Sequence, residues 1–483
     1  MTELGYTVVD SFVVDGLLNQ RVQLSVPLDH KDASNRTEIT ICANVTQKYK
    51  PEIHKNHVQK VVFPKDPNVV AYLQGGPGFP CAVPVSNSGY TKVLVDKGYQ
   101  IVFYDQRGTG LSTPIEAGTL IDMAANPTFR GECEAQTTNR LLQYLLHFRA
   151  DSIVEDMEVV RRALLVPAKW TLLGQSFGGF CSFTYLSKYA SLLKEVYVTG
   201  GVPPIGYTAD DVYRQTYERT KERNAHYYQK YPQDVSRVKA IVQYLRQNRV
   251  ELPNGGILSA ERFQQLGIRF GGAGGTDGLH IIVTEFWYSL QKGRKPSYSV
   301  LHTVQNDTSF DTNVLYALFQ EAIYCDGANK AAQKKSDWAA ERARYNTGNE
   351  RFVVTDNLLR SEDPVYFTGE MVYKSMFDDY AELAPLKSLA YALHEYEGWS
   401  DLYNVDVLQG IQWDDVPIIA ATYYYDQYVD FELTMNVKNQ IFAKNGNNNL
   451  RQYITSEFFH NGLRANPAKV LGAMFKLREG EVD

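Results

Sequence analysis

The 483-residue chain has little cysteine: Cys42, Cys81, Cys133, Cys181 and Cys325 are odd in number, far apart and without a C-x-x-C pair. That usage excludes a disulfide-stapled scaffold and suits reduced thiols in a cytosol. Long apolar runs are also missing. No stretch approaches the ~20 apolar residues needed to cross a bilayer, and Met1 to Asp10 has neither a basic start nor an apolar centre. The expectation is a soluble, non-secreted, cytoplasmic protein without a membrane partner, whose sequons at Asn35, Asn44 and Asn306 are chance matches. Charge of one sign is lacking too: 49 basic residues face 55 acidic ones, net charge -6, with no dense Lys/Arg block. Nucleic acid is therefore not an expected partner. His54-x-x-His57 stands alone without an H-E-x-x-H pattern or a cysteine cluster, so no metal is expected.

What is present is an alternation of strand and helix signals at both ends of the chain. Val8 to Val14, Val22 to Val26 and Ile39 to Val45 read as strands separated by Asp/Asn/Gly turns. The short apolar runs Val69 to Leu73 and Ile101 to Tyr104 suit strands buried on both faces of a parallel sheet. Ile153, Val154, Met157, Val160 and Leu164 recur at helical spacing, and Val196 to Val198 gives a further strand. From about Ile205 the pattern turns helical, including a helix ended by Pro232 and another marked by Val235 to Leu245. Strands resume at Val416 to Ala420 and near Leu450 to Ile454, followed by a helix from Pro467. The expected architecture is an α/β core built from residues 1–204 and 405–483, with residues 205–404 forming a mainly helical insertion. Gly271 to Gly275 lacks the ending of a phosphate loop and reads as a flexible turn.

Ser176 lies in Gly174-Gln175-Ser176-Phe177-Gly178, after the apolar stretch Thr171 to Leu173. A G-x-S-x-G segment between strand and helix is the pattern of a nucleophile elbow, which holds a serine hydroxyl out above a helix N-terminus. A serine hydroxyl is a poor nucleophile near neutrality and needs a base that is itself oriented by a carboxylate. Asp426 follows the strand that resumes at Val416, and His460 is the only histidine beyond it. Asp430 competes with Asp426 as the acid, although its place before Phe431-Glu432-Leu433 also suits a helix N-cap. Gln74-Gly75-Gly76-Pro77-Gly78 follows an apolar strand, where an oxyanion loop of this fold belongs, and the Phe177 N–H supplies a second donor.

Gly75-Gly76-Pro77-Gly78, then Asp105-Gln106-Arg107-Gly108-Thr109-Gly110-Leu111-Ser112, then Gly174 to Gly179, in that order and spacing, resemble the proline iminopeptidase family of α/β-hydrolases, in its longer microbial and fungal form. The resemblance extends to Asp426 and to His460-Asn461-Gly462-Leu463-Arg464. It implies an α/β-hydrolase fold with a mostly parallel sheet and a helical cap, Ser176, Asp426 and His460 as triad, and Gly75 and Gly76 as oxyanion loop. It implies a bracing ion pair in the Asp105 to Arg107 segment. It also implies short peptides with N-terminal proline as substrates, an acyl-enzyme and no cofactor. The departures are Gln74 where shorter members usually carry histidine, Phe177 where tryptophan is common, and a larger insertion; they bear on how strictly proline is preferred.

An enzyme acting at a free N-terminus must hold a cationic amine, and the resemblance implies glutamates of the insertion for that task. Glu321, within Leu318 to Tyr324, and Glu285, within Thr284 to Tyr288, are the candidates. The alternative function is an esterase or amidase of the same fold that ignores the free amine.

Overall fold

The computed structural model of the chain describes residues 5–129, 131–165, 169–329, 334–444 and 448–481. Nine strands form one sheet: β1 (Thr7–Val14), β2 (Leu17–Pro27), β3 (Glu38–Lys48), β4 (Val69–Leu73), β5 (Gln100–Tyr104), β6 (Trp170–Gln175), β7 (Leu193–Thr199), β8 (Ile418–Tyr423) and β9 (Leu450–Thr455). Their order is β1-β2-β3-β5-β4-β6-β7-β8-β9. The first three strands form an antiparallel meander that joins β5 antiparallel, and from β5 to β9 every pairing is parallel.

The parallel strands are short apolar runs because both of their faces are covered. Val69, Ala71 and Leu73 of β4 pack on one side with Val154, Met157 and Val160 of the helix Ala150–Leu165 and Phe180 and Phe183 of the helix Phe177–Tyr189. Val70 and Tyr72 face the other side with Leu94 of the helix Gly89–Asp96 and Val470, Leu471 and Met474 of the helix Pro467–Glu479. Each such fully buried Val or Leu contributes about 1.5–3 kcal/mol, so the sheet's ends are held on a rigid base.

The pairing order brings the motifs together. β6, which ends at the elbow serine, lies beside β4, which ends at the glycine loop, while β8 and β9 follow on the other side of β7. With strands ~4.8 Å apart, the end of β9 is three spacings from β6, so a side chain following β9 reaches the serine only if its loop folds back across the sheet. Here it does: Gly462 sits against the Tyr423 ring, where a Cβ would come within 2.5 Å of a ring carbon.

Between β7 and β8 the described residues form helices and turns, from Ala209–Lys230 to Val405–Gly410, with a single isolated bridge between Glu251 and Ile257. The first of these helices opens with a capping box between Thr208 and Asp211 and ends just before Pro232. The apolar residues of the insertion join the cluster on the sheet's first face, and the helix Val405–Gly410 packs on Phe177–Tyr189. The glycine run after Phe270 opens the helix Gly275–Gly293 and leans on the site, with Ala273 N–H donating to Asn461 Oδ1 at 3.2 Å.

Candidate active site

Ser176 occupies the turn between β6 and the helix that starts at Phe177, with φ 56° and ψ -127°. A non-glycine residue at positive φ is held there only by its surroundings. Its N–H donates to Thr199 O at 3.0 Å, and its carbonyl accepts from Gly179 N–H at 2.7 Å. Two glycines permit this approach. A Cβ on Gly178 would lie 2.0 Å from Leu73 O, and one on Gly75 would lie 2.7 Å from Ser176 Cβ. The elbow and the Gly75-Gly76 loop are thus in contact, which is the arrangement an oxyanion site requires.

The acid and base meet on the other side. His460 Nδ1 lies 2.8 Å from Asp426 Oδ2, while Asp426 Oδ1 accepts from Tyr428 N–H at 2.8 Å and Val429 N–H at 3.0 Å. A ring nitrogen facing a carboxylate is the protonated one, which leaves Nε2 to accept a proton. Burial pulls the His460 pKa down, but the charge and hydrogen bond of Asp426 outweigh it and leave the pKa above the ordinary histidine value. The Tyr428 ring packs edge-on against the imidazole, 4.6 Å between centroids. Asp430 makes no such contact: it caps the helix Phe431–Val437 by accepting from Leu433 N–H at 2.9 Å and pairs with Arg219 Nε at 2.9 Å.

The Asp105 to Arg107 segment braces the site in three ways. Gln106 Nε2 donates to Gln74 O at 3.0 Å, and Asp105 Oδ1 accepts from Cys81 N–H at 2.8 Å; both bonds hold the glycine loop. The ion pair runs from Arg107 to Asp156 of the helix Ala150–Leu165, bidentate at 2.6 and 2.7 Å and fully buried. Arg107 also donates to Leu28 O and His147 O, so this pair ties the meander to the helix, one layer below the loop itself. Gln74 Oε1 accepts from Tyr72 OH and Arg464 Nη2, both at 3.1 Å, which links the loop to the segment after His460.

The two carboxylates expected to face a substrate amine differ in their surroundings. Glu285 is exposed on the helix Gly275–Gly293. Glu321 is buried, but Ala339 N–H and Ala340 N–H donate to its two oxygens at 3.0 and 2.9 Å, and His394 Nδ1 lies 3.1 Å away. Trp338, left-handed at φ 57°, stacks on His394 at 3.6 Å, so Glu321 closes the start of the helix Ala339–Arg344. A helix start needs its N–H groups satisfied, and the charge that looked costly in an apolar helix is consumed by that need.

A further carboxyl, close enough to the triad to feel its charges, is Glu370. Tyr316 OH donates to its Oε1 at 2.5 Å, and the fields of His460 and Asp426 both act on it. Burial lifts its pKa to about 7, with His460 and the Tyr316 bond pulling the other way. Tyr316 packs on Phe79, which follows the glycine loop, and stacks on Phe310. The sequence signal was a lone charge inside the apolar run Val365 to Tyr373, most of which is buried; its irregular backbone gave no periodicity to reveal it. Of the other histidines, His54 is buried and accepts from Lys50 N–H through Nδ1, while His57 Nδ1 meets Ser11 Oγ, so the two rings have separate partners.

The sheet, the elbow serine and the facing Asp–His pair define an α/β-hydrolase, and residues 68–254 match the family model described as the alpha/beta hydrolase fold. The chain is 35% identical over 466 residues to a proline iminopeptidase of Aeromonas sobria, covering 96% of this chain and 98% of that one. It is 34% identical over 417 residues to a proline iminopeptidase of Aspergillus aculeatus, covering 85% of each. The chain belongs to the proline iminopeptidase family. A shorter match, 28% over 154 residues, reaches the proline iminopeptidase of Thermoplasma volcanium, covering 32% of this chain and 41% of that one.

Proposed function

We propose that the chain is a serine aminopeptidase that releases N-terminal proline from short peptides through an acyl-enzyme. Ser176 Oγ attacks the prolyl carbonyl carbon as its proton passes to His460 Nε2, and Asp426 stabilises the imidazolium through Nδ1–H. N–H groups of the Gly75-Gly76 loop and of Phe177 receive the oxyanion at the positive end of the helix Phe177–Tyr189. Collapse of the tetrahedral intermediate breaks the C–N bond, and His460 gives its proton to the leaving amine. Water, deprotonated by His460, then attacks the acyl carbon, and the proton returns to Ser176 as proline leaves.

Glu370 carries the aminopeptidase reading. It is a carboxyl near the triad whose hydrogen bond comes from a tyrosine hydroxyl rather than a cation. A substrate ammonium supplies the missing charge and keeps the carboxyl ionised. Among the described residues no helix is long and apolar enough to cross a membrane, and all five cysteines are free, which fits a reducing compartment such as the cytosol.

The test is a panel of prolyl and alanyl amides with free or acetylated N-termini. Fast turnover confined to free prolyl amides is the expected result. Equal turnover of acetylated amides or simple esters would instead make the chain an esterase or amidase.

A further inference from the structure

Six arginines among the described residues are buried: Arg107, Arg149, Arg161, Arg223, Arg262 and Arg344. Five of them make hydrogen bonds or ion pairs inside the chain. Arg107 holds Asp156, Arg161 holds Glu158, Arg262 holds Asp311, Arg344 pairs with Glu261, and Arg149 donates to Ala322 O and Cys325 O. Arg223 makes none among the described residues, and its Nε is buried without a partner. Its guanidinium lies 4.4 Å from the centre of the Phe459 ring, and burial pulls its pKa below the ordinary arginine value. One turn earlier on the same helix, Arg219 shows what the local charges can satisfy: it pairs with Asp430 and Glu222.

The position is informative. Phe459 immediately precedes His460, and Tyr425 immediately precedes Asp426, so the rings around Arg223 belong to the two loops that carry the acid and the base. Tyr424 and Tyr425 are each about 40% exposed, which makes this the solvent rim of the site. His460 gives a proton to the leaving amine, so the departing part of the peptide lies on the His460 side. The proline end is directed inward by Glu370. The guanidinium stands over the ring of Phe459, the residue next to the base, so an anion held there belongs to a peptide that extends only a short way past the scissile bond. An Nε buried without a partner is costly, and an anion held beside the Phe459 ring removes that cost.

Building on the aminopeptidase reading, we propose that Arg223 binds the free α-carboxylate of a di- or tripeptide substrate and so sets the length of peptide that is cleaved best. Its planar fork donates to a carboxylate in a bidentate way, with Phe459 supporting its face.

The test compares kcat/KM for Pro-Ala and Pro-Ala-Ala with that for their C-terminal amides, in the wild type, Arg223→Met and Arg223→Lys. The wild type should prefer the free acids by about 10- to 100-fold, as a charge-assisted pair in a partly dry site does. Arg223→Met should abolish the preference by lowering turnover of the acids alone, and Arg223→Lys should retain part of it. Equal turnover of acids and amides by the wild type would overturn the role of Arg223 while leaving the aminopeptidase reading intact, as would a preference that persists in Arg223→Met. Failure of the wild type to cleave any of these prolyl substrates would overturn both. Should the methionine variant fold poorly, the wild-type comparison and the lysine variant decide the matter.

Discussion

The α/β core and the helical insertion differ in how each places a charged side chain. In the core, Ser176, Asp426 and His460 stand a few residues beyond strand ends, and the pairing order β6-β7-β8-β9 fixes where each arrives. In the insertion, Glu321 and Glu370 come from irregular segments 49 residues apart, and nothing local distinguishes a helix-closing carboxylate from one close to the triad. Reaction chemistry here is positioned by regular structure, which has a sequence period. Recognition is positioned by packing between distant segments, which has none.

The comparison breaks most visibly at the nucleophile. Ser176→Ala and His460→Ala should each lower kcat by on the order of 10^4 or more, with the thermal unfolding midpoint nearly unchanged, if the three side chains act as a unit. A fluorophosphonate should label the wild type at Ser176 and should fail on Ser176→Ala; labelling of a different serine would displace the elbow from its assigned role.

Within the core, the two aspartates after β8 sharpen the contrast between a catalytic and a structural carboxylate. Asp426→Asn keeps the shape but spoils the His460 tautomer, and kcat should fall by about 10^3 to 10^4. Asp430→Asn should leave kcat within a few-fold while costing about 1 kcal/mol of stability as a weakened helix cap and lost Arg219 pair. Paired kinetics and denaturant titrations of both variants check this, and the opposite pattern would exchange their roles.

In the insertion, Glu321→Gln replaces a carboxylate that serves two backbone N–H groups and His394. It should cost about 1–3 kcal/mol of stability and change turnover of prolyl amides and small esters alike, measured as a lowered unfolding midpoint with an unchanged ratio of the two activities.

The nine strands were legible from apolar runs between turns and the helix Ala150–Leu165 from its 3.6-residue pattern, whereas the short helix Gly89–Asp96 was not read. The elbow, the glycine loop and the His460 segment were legible because close backbone contacts demand particular small residues, as Gly75 and Gly178 demonstrate. The choice between Asp426 and Asp430 required the contact with His460, since both follow the same strand. That Glu321 closes a helix start was not legible, because burial of a charge says only that a partner exists. Its partners, the N–H groups of Ala339 and Ala340, are 18 and 19 residues away and invisible to local spacing. The exposure of Glu285 was not legible either, because a glutamate on an amphipathic helix beside aromatic residues looks the same whether it faces solvent or the interior.

Glu370, rather than Glu321, is the residue we propose reads the substrate amine, and Glu370→Gln is the decisive variant. The ratio of kcat/KM for a prolyl amide to that for a small neutral ester should fall by about 30- to 1000-fold, because a charge pair in a water-poor pocket is lost while Ser176 acylation is spared. In the wild type that ratio should rise as pH increases through about 7, where Glu370 loses its proton, and the rise should vanish in Glu370→Gln. A ratio unchanged by Glu370→Gln, or one that collapses in Glu321→Gln instead, would remove Glu370 from this role.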